Sequence, residues 1–70
     1  MQNAYTAVIK KEAAWWIGWI EEVPGVNCQE RTHEGLIASL RATLHEALEF
    51  NRQDAIGAAV AGYTEELVTV

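Results

Sequence analysis

The segment Ala14–Ile20, with the sequence AWWIGWI, places large apolar side chains on both sides of an extended backbone. Because successive residues of a strand point to opposite faces, the two sets are Trp15, Ile17 and Trp19 on one side and Trp16, Gly18 and Ile20 on the other. A sheet covered on one side only normally alternates apolar with polar residues. This segment does not alternate. Either two tryptophans lie flat on an open surface, or a second copy or another protein covers that surface.

The residues around this segment predict a small antiparallel sheet. β-Branched and aromatic residues predict further strands over Tyr5–Ile9 and Val26–Glu30. The first two strands are so close in sequence that they should pair as a hairpin. Between the second and third strands, Pro24 presets φ and Gly25 accepts a positive φ, which predicts a type II turn over residues 23–26.

The next segment predicts an amphipathic helix that begins after Thr32. A threonine is a favoured N-cap, and Glu34 in the first turn suits the positive end of the helix dipole. Gly35 occupies the position where a capping box has glutamate, so that second capping interaction is missing. At 100° per residue, the apolar side chains fall within an arc of about 120°: Leu36, Ile37, Leu40, Leu44, Ala47 and Leu48.

The helical pattern weakens after Asn51. Residues 53–61 are rich in alanine but interrupted by Gly57, so they either continue the helix or form a short second one, with Gly62 as a stop. Thr64–Val70 ends in β-branched residues and predicts a final strand. The predicted fold class is α+β: a single domain over residues 1–70 in the order β-β-β-α-β, with an antiparallel sheet of three to four strands packed on one main helix.

Size and charge limit what such a domain can do. A core built from 70 residues barely offsets the conformational entropy of folding, and the lone Cys28 excludes an internal disulfide, so association is the expected supplement. Residues 1–20 contain two lysines and one glutamate, a net charge of +1; residues 21–70 contain three arginines and nine acidic residues, a net charge of −6. This balance disfavours nucleic-acid binding and suits either solubility or a basic protein partner.

The side chains that could support catalysis or metal binding are sparse. His33 and His45 are twelve positions apart on the helix, about 18 Å along its axis, and cannot share a metal ion. Cys28 lies on an apolar strand face and reads as an inert thiol. Glu21 and Glu22 are adjacent and would point to opposite faces, unlike the clustered carboxylates of a two-metal nuclease. We therefore expect no enzyme activity, cofactor or metal. Without a secretory or membrane-spanning pattern, a cytoplasmic location is expected.

The order and spacing of these pieces resemble the HicB-like antitoxin family. The residues that carry the resemblance are Tyr5-Thr6-Ala7-Val8-Ile9, Trp15-Trp16-Ile17-Gly18, Glu22-Val23-Pro24-Gly25-Val26, Gln29 with Thr32, and the leucine-spaced helix. They cover nearly the whole chain. The resemblance implies a partial ribonuclease-H-like fold. It also implies a small basic partner, a HicA-type ribonuclease toxin that cleaves mRNA and is blocked by direct contact.

Members of that family often have an added DNA-binding domain, and none is recognised in these 70 residues, so direct operator binding is not expected. The acidic helix residues Glu46 and Glu49, with the pair Glu65-Glu66, are either a solvated surface or a footprint for the basic toxin. A homo-oligomer, with a dimer favoured, is expected through a sheet edge or the tryptophan-bearing face. The alternative function is an orphan domain that acts as a structural or regulatory homo-oligomer. The candidate interface residues are Trp15, Trp16, Trp19, Glu21 and Glu22.

Overall fold

The computed structural model describes residues 4–70, which form one three-stranded sheet and one long helix. The strands are β1 (Ala7–Glu12), β2 (Trp15–Ile20) and β3 (Asn27–Glu30), and the helix is α1 (His33–Ala59). The sheet order is β1-β2-β3 with both pairings antiparallel. The α+β class and the β-β-β-α order predicted from the sequence are confirmed.

The first strand lies later in the chain than predicted. It was expected over Tyr5–Ile9, and it runs from Ala7 through Lys10, Lys11 and Glu12. The reason is the two-residue connection to β2, in which Ala13 adopts φ 53°. This tight loop fixes the register so that Glu12 pairs with Trp15 and Ala7 with Ile20. The hairpin geometry therefore brings the charged residues into the strand, where the local sequence favoured a loop.

The turn between β2 and β3 has the predicted form. Gly25 has φ 90°, a value that favours glycine. The Val26 amide donates a hydrogen bond to the Val23 carbonyl at 3.4 Å. Beyond the turn, the Ile20 amide donates to the Val26 carbonyl at 3.0 Å, which extends the pairing of β2 and β3 past the strand ends. Val26 itself is almost fully buried.

Thr32 caps the helix as predicted. Gly35, a residue with low helix propensity, contributes to this cap. The Gly35 amide donates to Thr32 Oγ1 at 3.0 Å. A Cβ atom on residue 35 would lie 2.8 Å from the same oxygen, so a larger residue would displace the capping hydroxyl. The glycine therefore permits a close N-cap by Thr32, although it cannot supply the second bond of a capping box.

The helix continues without interruption to Ala59, which decides between the two alternatives left by the sequence. Its end lies three residues before Gly62, the predicted stop, because Val60 already adopts φ 64° and its amide bonds the Gly57 carbonyl at 3.2 Å. At 1.5 Å per residue, 27 residues span about 40 Å. The helix is therefore much longer than the sheet it covers, whose strands of six residues or fewer span about 20 Å.

The core lies between the sheet and the first half of α1. Four apolar side chains are buried there: Ile20, Val26, Leu36 and Leu40. Leu44 and Ala47 pack against this cluster from the helix, while Ile37 and Leu48, also placed on the apolar arc by sequence, are only partly buried. The Ser39 hydroxyl donates to Glu30 Oε2 at 2.6 Å and ties the helix to β3.

The predicted fourth strand is not formed. Thr64–Val70 pairs with no strand in the described part of the chain. The second half of α1 extends past the sheet, and the segment that follows lies along that half, where Glu65 Oε2 is 4.0 Å from Arg52 Nη2. The consequence is an elongated molecule of 51 × 23 × 16 Å. Its radius of gyration is 15.1 Å, where a compact 70-residue domain has about 11 Å.

Candidate interaction surface

The face of the sheet opposite the helix is apolar and uncovered by any described element. The strand register aligns three neighbouring rows on this open face. From β1 to β3, the rows are Val8-Trp19-Asn27, Lys10-Ile17-Gln29 and Glu12-Trp15. Its apolar residues are Trp15, Ile17 and Trp19 on the middle strand β2 and Val8 on β1, and the other positions are polar. Trp19 retains 39 % of its accessible surface, while the other three apolar side chains are partly buried.

Charged side chains frame one end of the open face. Lys10 Nζ lies 2.6 Å from Glu12 Oε1 along β1. The Arg31 guanidinium lies over the Trp15 ring at 4.0 Å from its centroid, a cation–π contact. Arg31 thus covers Trp15 and leaves Trp19, at the other end of the face, as its exposed aromatic. Aromatic side chains beside polar residues are the usual composition of a protein-binding patch.

Trp16 lies on the opposite side of the sheet from Trp15 and Trp19. It packs against the core, with its ring 5.3 Å from the His33 ring in an edge-on arrangement, and Lys11 Nζ is 5.5 Å from its centroid. The same face of β2 presents Gly18 and Ile20 to the helix, and both are buried. Trp16 thus stabilises the sheet–helix interface, and it is not part of the open face.

Glu21 and Glu22 follow β2 and have different surroundings. Glu22 Oε1 accepts a hydrogen bond from the Thr6 amide at 2.8 Å, and Oε2 accepts one from the Thr6 hydroxyl at 2.7 Å. Glu21 contributes its backbone amide, which donates to the Thr6 carbonyl at 2.9 Å. The five interface residues proposed from sequence therefore occupy three places: the open face, the core side of the sheet and this junction before β1.

The two hydrogen bonds to Glu22, first that from the Thr6 amide and then that from its hydroxyl, lower the pKa of the Glu22 carboxyl below its ordinary value of 4.5. A group whose pKa is depressed by folding stabilises the native state above its unfolded pKa. That contribution should be lost as the pH falls from about 4.5 through the folded pKa of Glu22. We expect Glu22→Gln to flatten this part of the stability-versus-pH curve, measured by urea unfolding at a series of pH values.

Glu21→Gln is the matched control, because Glu21 is the exposed neighbour of Glu22 and bonds Thr6 through its backbone amide and not through its carboxylate. The wild-type slope between about pH 3 and 5 should persist in that variant. An equal flattening in both variants would show that general surface charge, and not the bond to Thr6, sets the acid sensitivity.

The other residues considered from sequence, the cysteine, the histidines and the acidic residues of the helix, lie outside the open face. Cys28 Sγ lies 3.5 Å from Thr43 Oγ1 between the sheet and the helix. His33 contacts Trp16, and His45 is exposed beside a groove. Of the predicted acidic footprint, Glu49 lies 3.9 Å from Arg52, which also approaches Glu65. Across residues 4–70, no group of three or more histidine, cysteine, aspartate or glutamate side chains is placed to hold a metal ion.

Sequence reasoning missed the parts of the surface that depend on register. Val8 belongs to the open face because it pairs with Trp19, and Arg31 belongs to its rim because it covers Trp15. The alternation of β1 would have placed Val8 correctly once the hairpin loop was known. No short-range sequence pattern predicts the stacking of Arg31 on Trp15 or the hydrogen bonds between Glu22 and Thr6.

Comparison with known proteins identifies no relative of this chain: no family model, no curated protein and no solved structure matches it. Among residues 4–70, no helix has both the length and the apolar character needed to span a bilayer.

Proposed function

We propose that this chain is a protein-interaction module of HicB-like antitoxin type, which binds and blocks a small basic ribonuclease in the cytoplasm. The observation that carries the proposal is the open face, where Trp19 and three further apolar side chains lie without any covering element in residues 4–70. Burying such a face supplies the stabilisation that a core of four buried side chains lacks. The role is to occupy the partner's surface, and it requires no catalytic group on this chain.

Charge supports a basic partner. The chain has a net charge of −5, and most of its acidic residues lie after β2. Opposite net charges accelerate encounter between two proteins and make their affinity fall as salt is added. The apolar part of the open face would supply affinity, and the net negative charge of the whole chain would supply steering.

The finer architecture belongs to the same proposal. Three antiparallel strands followed by a helix form the first part of a ribonuclease-H-like fold, as the resemblance implies. Thr64–Val70 is then its fourth strand, which forms when the chain associates. This would account for the exposure of an apolar segment that no strand pairs in the described chain.

The proposal is tested by co-expressing the chain with a small basic protein encoded by a neighbouring reading frame. Wild type should rescue growth and co-purify with the toxin, with an affinity that falls with salt. Trp19→Ser should weaken the complex at least tenfold, as expected for an exposed aromatic anchor of an interface. Phe50→Ser is the matched control, because Phe50 is 70 % exposed on the helix, away from the open face. Equal binding by the two variants would exclude the open face as the binding surface.

The second candidate function is a structural or regulatory homo-oligomer that has no toxin partner. The observation in its favour is the elongated shape, with the second half of α1 and residues 60–70 largely uncovered. Sedimentation of the protein alone distinguishes the two: a stable dimer with no toxin-neutralising activity supports this alternative. A monomer that binds the toxin supports the antitoxin.

A further inference from the structure

The segment Thr64–Val70 has the properties of a strand without a partner. It belongs to no helix or strand of the described chain, and Leu67, Val68 and Val70 are 84 %, 88 % and 123 % exposed. β-Branched and aliphatic residues stabilise a sheet when they pair and promote association when they do not. A second strand is therefore expected to cover it.

The strand β1 offers a matching edge. It lies at the side of the sheet and pairs with β2 alone. Its sequence AVIKKE begins with three apolar residues and continues with two lysines. Segment 64–70, TEELVTV, contains two glutamates followed by apolar residues. The two sequences are complementary when they run in opposite directions.

One antiparallel register opposes the charges of this pair and aligns its aliphatic residues. It is defined by the pairs Lys11–Glu65, Lys10–Glu66, Ile9–Leu67, Val8–Val68 and Ala7–Thr69. Opposite charges and pairs of aliphatic residues are the combinations that stabilise antiparallel neighbours. Shifting the register by one residue opposes Ile9 to Glu66 or Lys10 to Leu67. If the segment instead ran parallel to β1, with its glutamates opposite the lysines, Val68–Val70 would extend beyond the end of β1.

The same register also places each residue of the added strand on a face of the sheet where its neighbours have matching chemistry. Directly paired residues lie on one face, so Leu67 would join Ile9 on the helix side, where Ile9 packs against the core. Val68 would join Val8 on the open face, next to Trp19. Glu66 would join the ion pair of Lys10 with Glu12. The added strand would thus extend both apolar surfaces.

The segment of the same chain is in the wrong place for this pairing. Glu65 lines a groove of about 310 Å³ together with Tyr5 and His45, near the beginning of β1. The register requires Glu65 at Lys11, six residues further along the strand, which is about 20 Å away. A segment from a second copy has no such restriction. Two copies related by a two-fold axis could each supply a strand to the other.

We propose that two copies of this chain form a dimer by reciprocal strand exchange, in which segment 64–70 of each copy pairs antiparallel with the β1 edge of the other. Lysines on an edge strand oppose pairing with an ordinary apolar strand, and here they select a segment that has glutamates at the matching positions. The proposal deepens the self-association proposed above by naming the two surfaces that meet. It does not depend on a toxin.

Charge reversal tests the exchange. We take one chain with Glu65→Lys and Glu66→Lys and a second with Lys10→Glu and Lys11→Glu, each measured alone and mixed by sedimentation. Alone, each variant opposes like charges at both exchange sites, so dimer affinity should fall at least tenfold. Mixed in equal amounts, both sites regain opposite charges, and a heterodimer with wild-type affinity should form.

Glu46→Lys with Asp54→Lys is the matched control, because it changes net charge by the same amount at two exposed helix positions. That variant should dimerise as wild type does, and mixing it with the Lys10→Glu/Lys11→Glu chain should not restore a heterodimer of wild-type affinity. If wild type dimerises but the mixture of exchange variants stays monomeric, the exchange is wrong and self-association stands. If the wild-type protein remains a monomer at all soluble concentrations, both the strand exchange and self-association are wrong.

Discussion

Replacing Leu36 by alanine is expected to have the largest effect on folding. Leu36 is 0 % exposed and lies at the centre of the four-residue core. Truncation of a buried leucine costs about 2–5 kcal/mol, because the transfer energy of the removed atoms adds to that of the cavity left behind. A domain of this size has a free energy of unfolding of roughly 4–10 kcal/mol. From the middle of both ranges, the variant should lose about half of its stability, measured by urea unfolding followed by circular dichroism.

Leu67→Ala makes the same chemical change at a residue that is 84 % exposed. In dilute monomeric protein, its unfolding free energy should stay within about 0.5 kcal/mol of wild type. If Leu36→Ala were no more destabilising than this control, the packing of α1 on the sheet would have to differ from the arrangement described.

Gly18→Ala should produce the second-largest loss of stability. A Cβ atom on residue 18 would lie 3.1 Å from methyl carbons of both Leu36 and Leu40 and 3.2 Å from the Val8 carbonyl oxygen. Leu36 and Leu40 are 0 % and 2 % exposed and have little room to move aside, so the added methyl should disturb the packing of the helix on the sheet. Overpacking of this kind costs about 1–3 kcal/mol. The midpoint of urea unfolding should fall accordingly.

The control is Gly57→Ala, the same substitution in the exposed second half of the helix. No atom lies within 4 Å of the added methyl group at this site, apart from its own helix backbone and neighbours. Here alanine should stabilise by up to about 1 kcal/mol, since glycine is a poor helix former. Stabilisation by both substitutions would contradict the close approach of α1 to β2 at Gly18.

The elements that the sequence predicted well are those specified by local chemistry. Thr32 caps a helix wherever its hydroxyl can reach a free amide, and Gly25 permits a turn that few other residues allow. The apolar arc of the helix was also predictable, because apolar residues that recur with the helical period of 3.6 residues indicate burial on one side. By contrast, the extent of β1 followed from the hairpin register, which depends on where β2 begins.

The interaction surface was only partly predictable for a similar reason. Alternation along β2 separated Trp15 and Trp19 from Trp16, but it could not say which set faces the helix. That assignment follows from Gly18, which lies on the same side as Trp16 and lets Leu36 and Leu40 approach the sheet closely. The bond of Glu22 to Thr6 joins residues 16 positions apart and has no local signature.

The sequence by itself determined the α+β class, the proline–glycine turn, the helix start and the imbalance of charge, because each depends on residues close together in the chain. Only the tertiary structure decided which face of β2 stays open, that α1 extends past the sheet to Ala59, and that Thr64–Val70 lies unpaired. These outcomes depend on register and on the relative lengths of helix and sheet. Such quantities arise when distant residues pack, and no local pattern encodes them.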